Sequence, residues 1–213
     1  MTDLLVLGAG GLGREIAAMV ASSSLGAQYR LLGFADDALA PGTRVGRWTV
    51  LCSIDGVADL GPISVVLALG DPELKARIHR RIQGWPLRYP TLIHPSVHNL
   101  DPARNRIGQG CVLAPGVALT TEIDIGDFVL LNLNTTVGHN VRIGSYSSLM
   151  PGVHLSGNVG LEEEVMIGTG ACLLQHCTVG ARSKIGAGAV VTHSIPPDTT
   201  AVGIPARPSG QSH

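Results

Sequence analysis

The sequence predicts a chain in two parts, a small α/β domain with a parallel sheet followed by a triangular coil of short parallel strands. Two patterns carry this. In residues 1–88, apolar strands alternate with segments of helical spacing, the signature of a parallel α/β arrangement. From Ile107 to Val191 an aliphatic residue returns at every sixth position without a gap. A period of six fits neither a helix nor simple strand alternation. It fits a short strand followed by a tight corner.

The first part can be read element by element. LLVLG (4–8) is a short apolar strand. It runs into GAGGLG, in which Gly8, Gly10 and Gly13 form GxGxxG. REIAAMVASS (14–23) then has helical spacing in Ile16, Met19 and Val20. LLGFADD (31–37) is a second strand ending in two acids, and ISVVLALG (63–70) a third. DPELKARIHRRI (71–82) is a helix, with Asp71 as N-cap and Pro72 at the first helical position. The proline-punctuated segment 88–105 joins the two parts.

In the second part, the aliphatic series includes Leu113, Leu119, Leu131, Val137, Ile143, Leu155 and Ile185. Four residues after each comes a small or branched one, such as Val117, Val141, Ala171 or Cys177. Both positions are expected to point into the coil. Glycine directly follows the aliphatic residue in many units, as at Gly108, Gly126, Gly138, Gly144 and Gly168, and is expected to turn the corners. Three units make one turn, so 107–196 forms about five coils, roughly 24 Å tall at the usual strand spacing. The domains are therefore 1–88 and 89–208, with 209–213 a flexible tail.

Composition agrees. Aromatics are 3% and charged residues 15%, yet 45% of residues are hydrophobic and 28 are glycine, so thin repeated aliphatic layers must supply the core. Fifteen basic and sixteen acidic residues give a net charge of −1, with no basic block to bind nucleic acid. The opening MTDLLVLGAGG lacks the basic leading segment of a signal peptide, and no apolar run reaches membrane-spanning length. Cys52, Cys111, Cys172 and Cys177 have no CxxC spacing. Reduced thiols and a cytoplasmic protein without membrane partners are expected.

GAGGLG follows a strand and opens a helix, the setting in which such glycines let a backbone approach phosphate. Asp36 or Asp37, at the end of the next strand, can bind a ribose hydroxyl. The alternative is a tight strand-to-helix turn without a ligand. Only one βαβαβ half precedes the coil, which favours a mononucleotide over a dinucleotide.

The short domain with GAGGLGRE and GFADD, joined to hexapeptide repeats that end in VGIPARP, resembles one family over nearly the whole chain. That family is the sugar O-/N-acyltransferases, related to sialic acid O-acetyltransferases and bacterial nucleotide-aminosugar N-acetyltransferases. NLNTTVGHN and GNV are the most specific stretches. The resemblance implies a Rossmann-like N-terminal domain followed by a left-handed parallel β-helix. The left hand opposes the usual crossover rule and comes from the resemblance alone. It also implies acetyl-CoA as co-substrate, a nucleotide-sugar or sugar acceptor, and a homotrimer with intersubunit active sites.

Acyl transfer needs a base for the attacking group and donors for the developing oxyanion. Among eight histidines, His139 lies two places past Val137, at a corner facing away from the apolar interior. It matches the family's base. His154 and His176 are rivals on register alone, and His94 and His98 flank Pro95. No cluster reads as a metal site. The family often has an acid after the histidine; here it is Asn140, so Glu122, Asp124, Asp127 or a neighbouring subunit is a candidate replacement.

By the same resemblance, Asn132 contacts the sugar and the Gly157 N–H faces the thioester oxygen. Ser148, Thr169 and Ala187 line the acetyl-CoA groove, with Arg182, Lys184 and Arg207 as candidates for its phosphates. Gly10, Gly11, Leu12, Asp36, Asp37 and Gly70 match the nucleotide-sugar side, though the family commonly has His at Leu12. The expected activity is acetyl transfer to the amine of a nucleotide-linked aminosugar, with His139 as general base and no covalent acyl-enzyme. The alternatives are O-acetylation of a sialic acid or related sugar, and a non-catalytic scaffold with a decayed site.

Overall fold

A computed structural model describes residues 1–209. The first part contains β1 (Thr2–Leu7), α1 (Gly11–Ser22), α2 (Leu25–Gln28), β2 (Tyr29–Ala35), β3 (Arg44–Val45), β4 (Trp48–Cys52), β5 (Ile63–Leu67), α3 (Pro72–Ile82) and β6 (Leu87–Arg88). The three strands and two long helices read from the sequence are all present. Strand β4 is an addition to that reading. Of its residues only Val50 is fully buried, so it carries little apolar signal. Helix α1 starts at Gly11, inside the glycine loop. Asp71 caps α3 as expected, its carboxylate accepting from the Leu74 N–H at 2.9 Å.

The sheet runs in the order β3-β4-β2-β1-β5-β6, and only the β3–β4 pair is antiparallel. From β1 the chain moves to β2 on one side and later to β5 on the other. The crevice at that reversal opens at the carboxyl ends of β1 and β5. The glycine loop, Asp36 and Asp37, and Gly70 all follow carboxyl ends of these strands.

The second part is a parallel coil of two-residue strands. Between Arg106–Ile107 and Val190–Val191 the strands pair at an offset of eighteen residues, as in Leu113↔Leu131, Val137↔Leu155 and Ile143↔Leu161. Three faces result: one holds Leu130–Leu131 and Ser148–Leu149, a second Thr136–Val137 and His154–Leu155, a third Arg142–Ile143 and Gly160–Leu161. Leu113, Val117, Leu131, Val141, Leu155 and Ile167 are among the residues filling the interior, so both expected inward positions face inward.

The coil begins at Leu92–Ile93, a turn earlier than the six-residue period. Two extra residues between His98–Asn99 and Arg106–Ile107 break the spacing, which hides this turn from a periodicity search. At the other end, Ser209 is not loose: its N–H donates to the Thr200 carbonyl at 2.7 Å. The rest of the expected tail, 210–213, lies outside the described residues.

The corner glycines require a correction. Gly126, Gly138, Gly144 and Gly168 do not have positive φ. The left-handed residue is the third after each aliphatic position: Glu122, Phe128, Asn134, Asn140, Tyr146, Asn158 and their equivalents. The glycines serve contact between coils instead. A Cβ on Gly138 would come 2.8 Å from the Gly157 nitrogen, and one on Gly144 2.5 Å from the Glu162 carbonyl carbon. Stacked backbones approach too closely there for any side chain.

The α/β domain sits on the first face of the coil. Leu92, Val112 and Leu130 pack with Ile16, Met19 and Val20 of α1. At the adjoining corner Phe128 packs with Ile78 and Ile82 of α3, and stacks on Tyr146 with centroids 5.4 Å apart. Between these contacts lies Lys75 of α3, only 2% exposed. Its Nζ donates to the Phe128 carbonyl at 2.9 Å, Ser148 Oγ at 2.9 Å and the Ser147 carbonyl at 3.4 Å. Three acceptors match the three donors of an ammonium. Burial opposes that form and pushes the Lys75 pKa down to about 7.

Lys75→Met leaves these acceptors without a donor and should cost about 1–3 kcal/mol in denaturant unfolding. Between pH 7 and 10 the unfolded chain holds more protons at Lys75 than the folded one, so this group's contribution to stability rises with pH. The stability difference between wild type and Lys75→Met should therefore widen in favour of wild type across that window.

Candidate active site

The glycine loop divides its labour. Gly8 has φ +104°, and a Cβ on Gly13 would strike the Gly8 carbonyl, so these two shape the turn and its packing. A Cβ on Gly10 or Gly11 would meet nothing within 4 Å. Their backbone is open at the start of α1, where amide N–H groups face outward. Asp36 Oδ2 accepts from the Ala9 N–H at 2.7 Å, and its Oδ1 from the Ala38 N–H at 2.8 Å. Asp36 thus ties the end of β2 to the glycine loop. Asp37 accepts from the Ile54 N–H at 2.9 Å and pairs with Arg81. Both acids read as ribose contacts therefore also hold the loops that shape the crevice.

Gly70 lies beside the coil: a Cβ there would be 3.6 Å from Met150 Cε and 4.0 Å from Leu12 Cδ2. Next to Leu12, a cavity of about 300 Å³ opens between α1 and the coil, lined by Ile16, Met19, Leu130, Asn132 and Leu133 among others. Asn132 is buried, with Oδ1 accepting from the Leu133 N–H at 2.7 Å. Leu12, Gly70 and Asn132 thus converge on one edge of the first face.

Thr169 and Ala187 are exposed on that same corner, in later coils. Ser148 is not in a groove. It is fully buried under α3, and its hydroxyl accepts from Lys75. The expected groove position is therefore part of the domain interface, because the face on which it lies is covered by the α/β domain. Arg182 pairs with Asp198 at 2.7 Å, and Lys184 lies 3.7 Å from Asp71.

His139 is exposed at the next corner, between the second and third faces. Its ring lies against the Gly157 backbone one coil further on: a Cβ at 157 would be 2.5 Å from both Cε1 and Nε2. His139 Nδ1 is 2.8 Å from Asn140 Oδ1, and Asn140 Nδ2 donates to Glu122 Oε2 at 2.9 Å. Asn140, where the family often has an acid, is therefore linked to an acid one coil earlier. The other histidines differ. His154 bonds Thr136 Oγ1, His94 bonds Ser96 Oγ, His193 bonds Thr192 Oγ1, and His79 bonds the Tyr146 hydroxyl. Among the described residues, only His139 connects through hydrogen bonds to a carboxylate.

Sequence comparison agrees with this architecture. Residues 3–82 match the PglD N-terminal domain. The chain is 32% identical over 197 residues to a GDP-perosamine N-acetyltransferase of Escherichia coli O157:H7, spanning 90% of this chain and 78% of the relative. Among solved structures, the acetyltransferase domain of PglB from Neisseria gonorrhoeae, in complex with acetyl coenzyme A, superposes with a TM-score of 0.88 at 33% identity. That match covers 97% of this chain and 98% of the other. PerB from Caulobacter crescentus, in complex with CoA and GDP-perosamine, gives 0.87 at 27% identity over 99% and 98% of the two chains.

The chain belongs to the hexapeptide-repeat sugar acyltransferases, and its fold is a Rossmann-like domain followed by a left-handed parallel β-helix. It is an acyltransferase. Among the described residues, no helix is long and apolar enough to cross a membrane, and no group of three His, Cys, Asp or Glu is placed to hold a metal ion.

Gly157→Ala should push the His139 ring aside without unfolding the coil, since Gly157 is at a surface corner. We expect a fall of roughly ten- to a hundredfold in kcat, read against an unchanged melting temperature.

Proposed function

We propose that this enzyme transfers the acetyl group of acetyl-CoA to the amine of a nucleotide-linked aminosugar, with His139 as general base. The observation that carries the reading is the pairing of two sites in one chain. An open glycine backbone at a helix start suits a sugar nucleotide's diphosphate, and an exposed histidine with one ring nitrogen already bonded suits proton removal. Relatives that bind acetyl-CoA, or CoA with GDP-perosamine, over nearly their whole length support it.

In this mechanism the amine attacks the thioester carbon while His139 Nε2 takes its proton. The Gly157 N–H, which has no acceptor among the described residues, faces the oxyanion. Collapse of the tetrahedral intermediate expels CoA, and no acyl-enzyme forms. Leu12, Gly70, Asn132 and the glycine loop hold the acceptor, with Thr169 and Ala187 along the donor.

His139 and Gly157 occupy a different corner from these binding residues. Leu133 and His139 are six residues apart, at most about 20 Å of extended chain, with the second face between them. A homotrimer would bring the His139 corner of one subunit to the acceptor corner of its neighbour.

Thiol release from acetyl-CoA, screened against GDP-, UDP- and dTDP-aminosugars and free sialic acids, tests the acceptor. His139→Ala should lose about 10²–10⁴ in kcat with the right one; full turnover would remove the base assignment. Co-assembly of His139→Ala with Gly11→Asp subunits should restore part of the activity. No recovery from mixed trimers would put the whole site in one chain.

A further inference from the structure

Glu122 reaches His139 only through Asn140. It sits in the left-handed corner column with Asn140 and Asn158, at φ 57°, 59° and 60°. Eighteen residues separate Glu122 from Asn140, so the coil register places them one above the other. Arg104, Arg106 and Arg142 line the same hollow, yet among the described residues Glu122 has no ion pair, and Arg106 is engaged by Asp124. Its carboxylate is left for Asn140 Nδ2, at 2.9 Å.

That contact has a consequence at the neighbouring histidine. An asparagine amide can present either its oxygen or its nitrogen to a given neighbour. A carboxylate only accepts, so it fixes the choice. With Nδ2 bound to Glu122, Asn140 must turn Oδ1 toward His139 Nδ1. Nδ1 then carries the ring proton, and Nε2, beside Gly157, keeps its lone pair. The opposite amide orientation would aim a carbonyl at a carboxylate and an NH₂ at Nδ1. It would favour the Nε2–H tautomer, which cannot take a proton at the reactive edge.

We propose that Glu122 is a positioning residue which, through Asn140, holds His139 in the Nδ1–H tautomer. The hydrogen-bond chain spans two coils and replaces an acid directly beside the histidine. This rests on His139 as base, but its first readout does not depend on activity.

The test compares Glu122→Gln, Asn140→Asp and the double variant in the full chain. The ¹⁵N spectrum of His139 is recorded at alkaline pH, where the ring is neutral, and assigned against His139→Ala. Wild type should show a single Nδ1–H pattern. In Glu122→Gln the new amide can donate as well as accept, so both Asn140 orientations become allowed and the tautomers mix. Turnover should then fall in proportion to the Nδ1–H population lost, about twofold or more in kcat, with KM changed less.

Asn140→Asp alone sets two carboxylates face to face and should be impaired. In the double variant, the new amide at position 122 donates to the new carboxylate at position 140, which accepts from Nδ1. The Nδ1–H pattern and most of the turnover should return. A merely structural role for Glu122 predicts no such rescue. An unchanged tautomer and full kcat in Glu122→Gln would overturn the proposal. A mixed tautomer with unchanged kcat would uphold the chain from Glu122 to His139 and instead overturn His139 as the base.

Discussion

Backbone pairing at an offset of eighteen residues holds the second half of this protein in place. Each two-residue strand donates and accepts along the coil axis, so a residue at a corner lies directly over its counterpart one coil earlier. Corner residues therefore form columns. Glu122, Asn140 and Asn158 form one, with His139 and Gly157 beside it, and the contacts of the candidate site are contacts between successive layers. His139 rests on Gly157 and is tied to Glu122 because the register stacks these corners on one another. A change in coil length anywhere between residues 122 and 157 would separate them.

The same close stacking explains the two kinds of small residue at the corners. Glycine is required where one coil's backbone meets the next, as at Gly138 and Gly144, although φ is ordinary there. The left-handed turn is two residues further on and tolerates side chains, with asparagine well suited to it. Asn140 thus satisfies two demands. Its backbone takes the left-handed corner, and its amide bridges a histidine to a carboxylate that is not its sequence neighbour. The family's more usual acid would meet the second demand by charge; here the charge is one coil away.

Domain docking is the second organising contact. The coil's first face is apolar where α1 and α3 cover it, and Lys75 fastens α3 to the backbone at Phe128 and Ser147. This fixes the glycine-loop crevice over the edge bearing Asn132 and Met150. It also consumes Ser148, whose register alone would have placed it in a groove. Lys75 itself gave no sequence signal: in DPELKARIHRRI it reads as one more cation on a polar helix, and only the opposing face of the coil shows that it is buried.

The sequence by itself determined the order of the domains, the three principal strands, the inward positions of the coil and the corner that His139 occupies. Each follows from a short-range rule: strand apolarity, helical spacing or a period of six. The family resemblance added the chemistry. Tertiary structure decided what depends on residues far apart in the chain. The first coil turn was hidden by two inserted residues. The glycines serve interlayer contact, which a single layer cannot reveal. Asp36 is bound to the glycine loop across the sheet. The acid bonded to Asn140 is Glu122, one of several acids open to choice until the coil's register put it there. Periodicity specifies which way a side chain points; only the stacked layers specify what it meets.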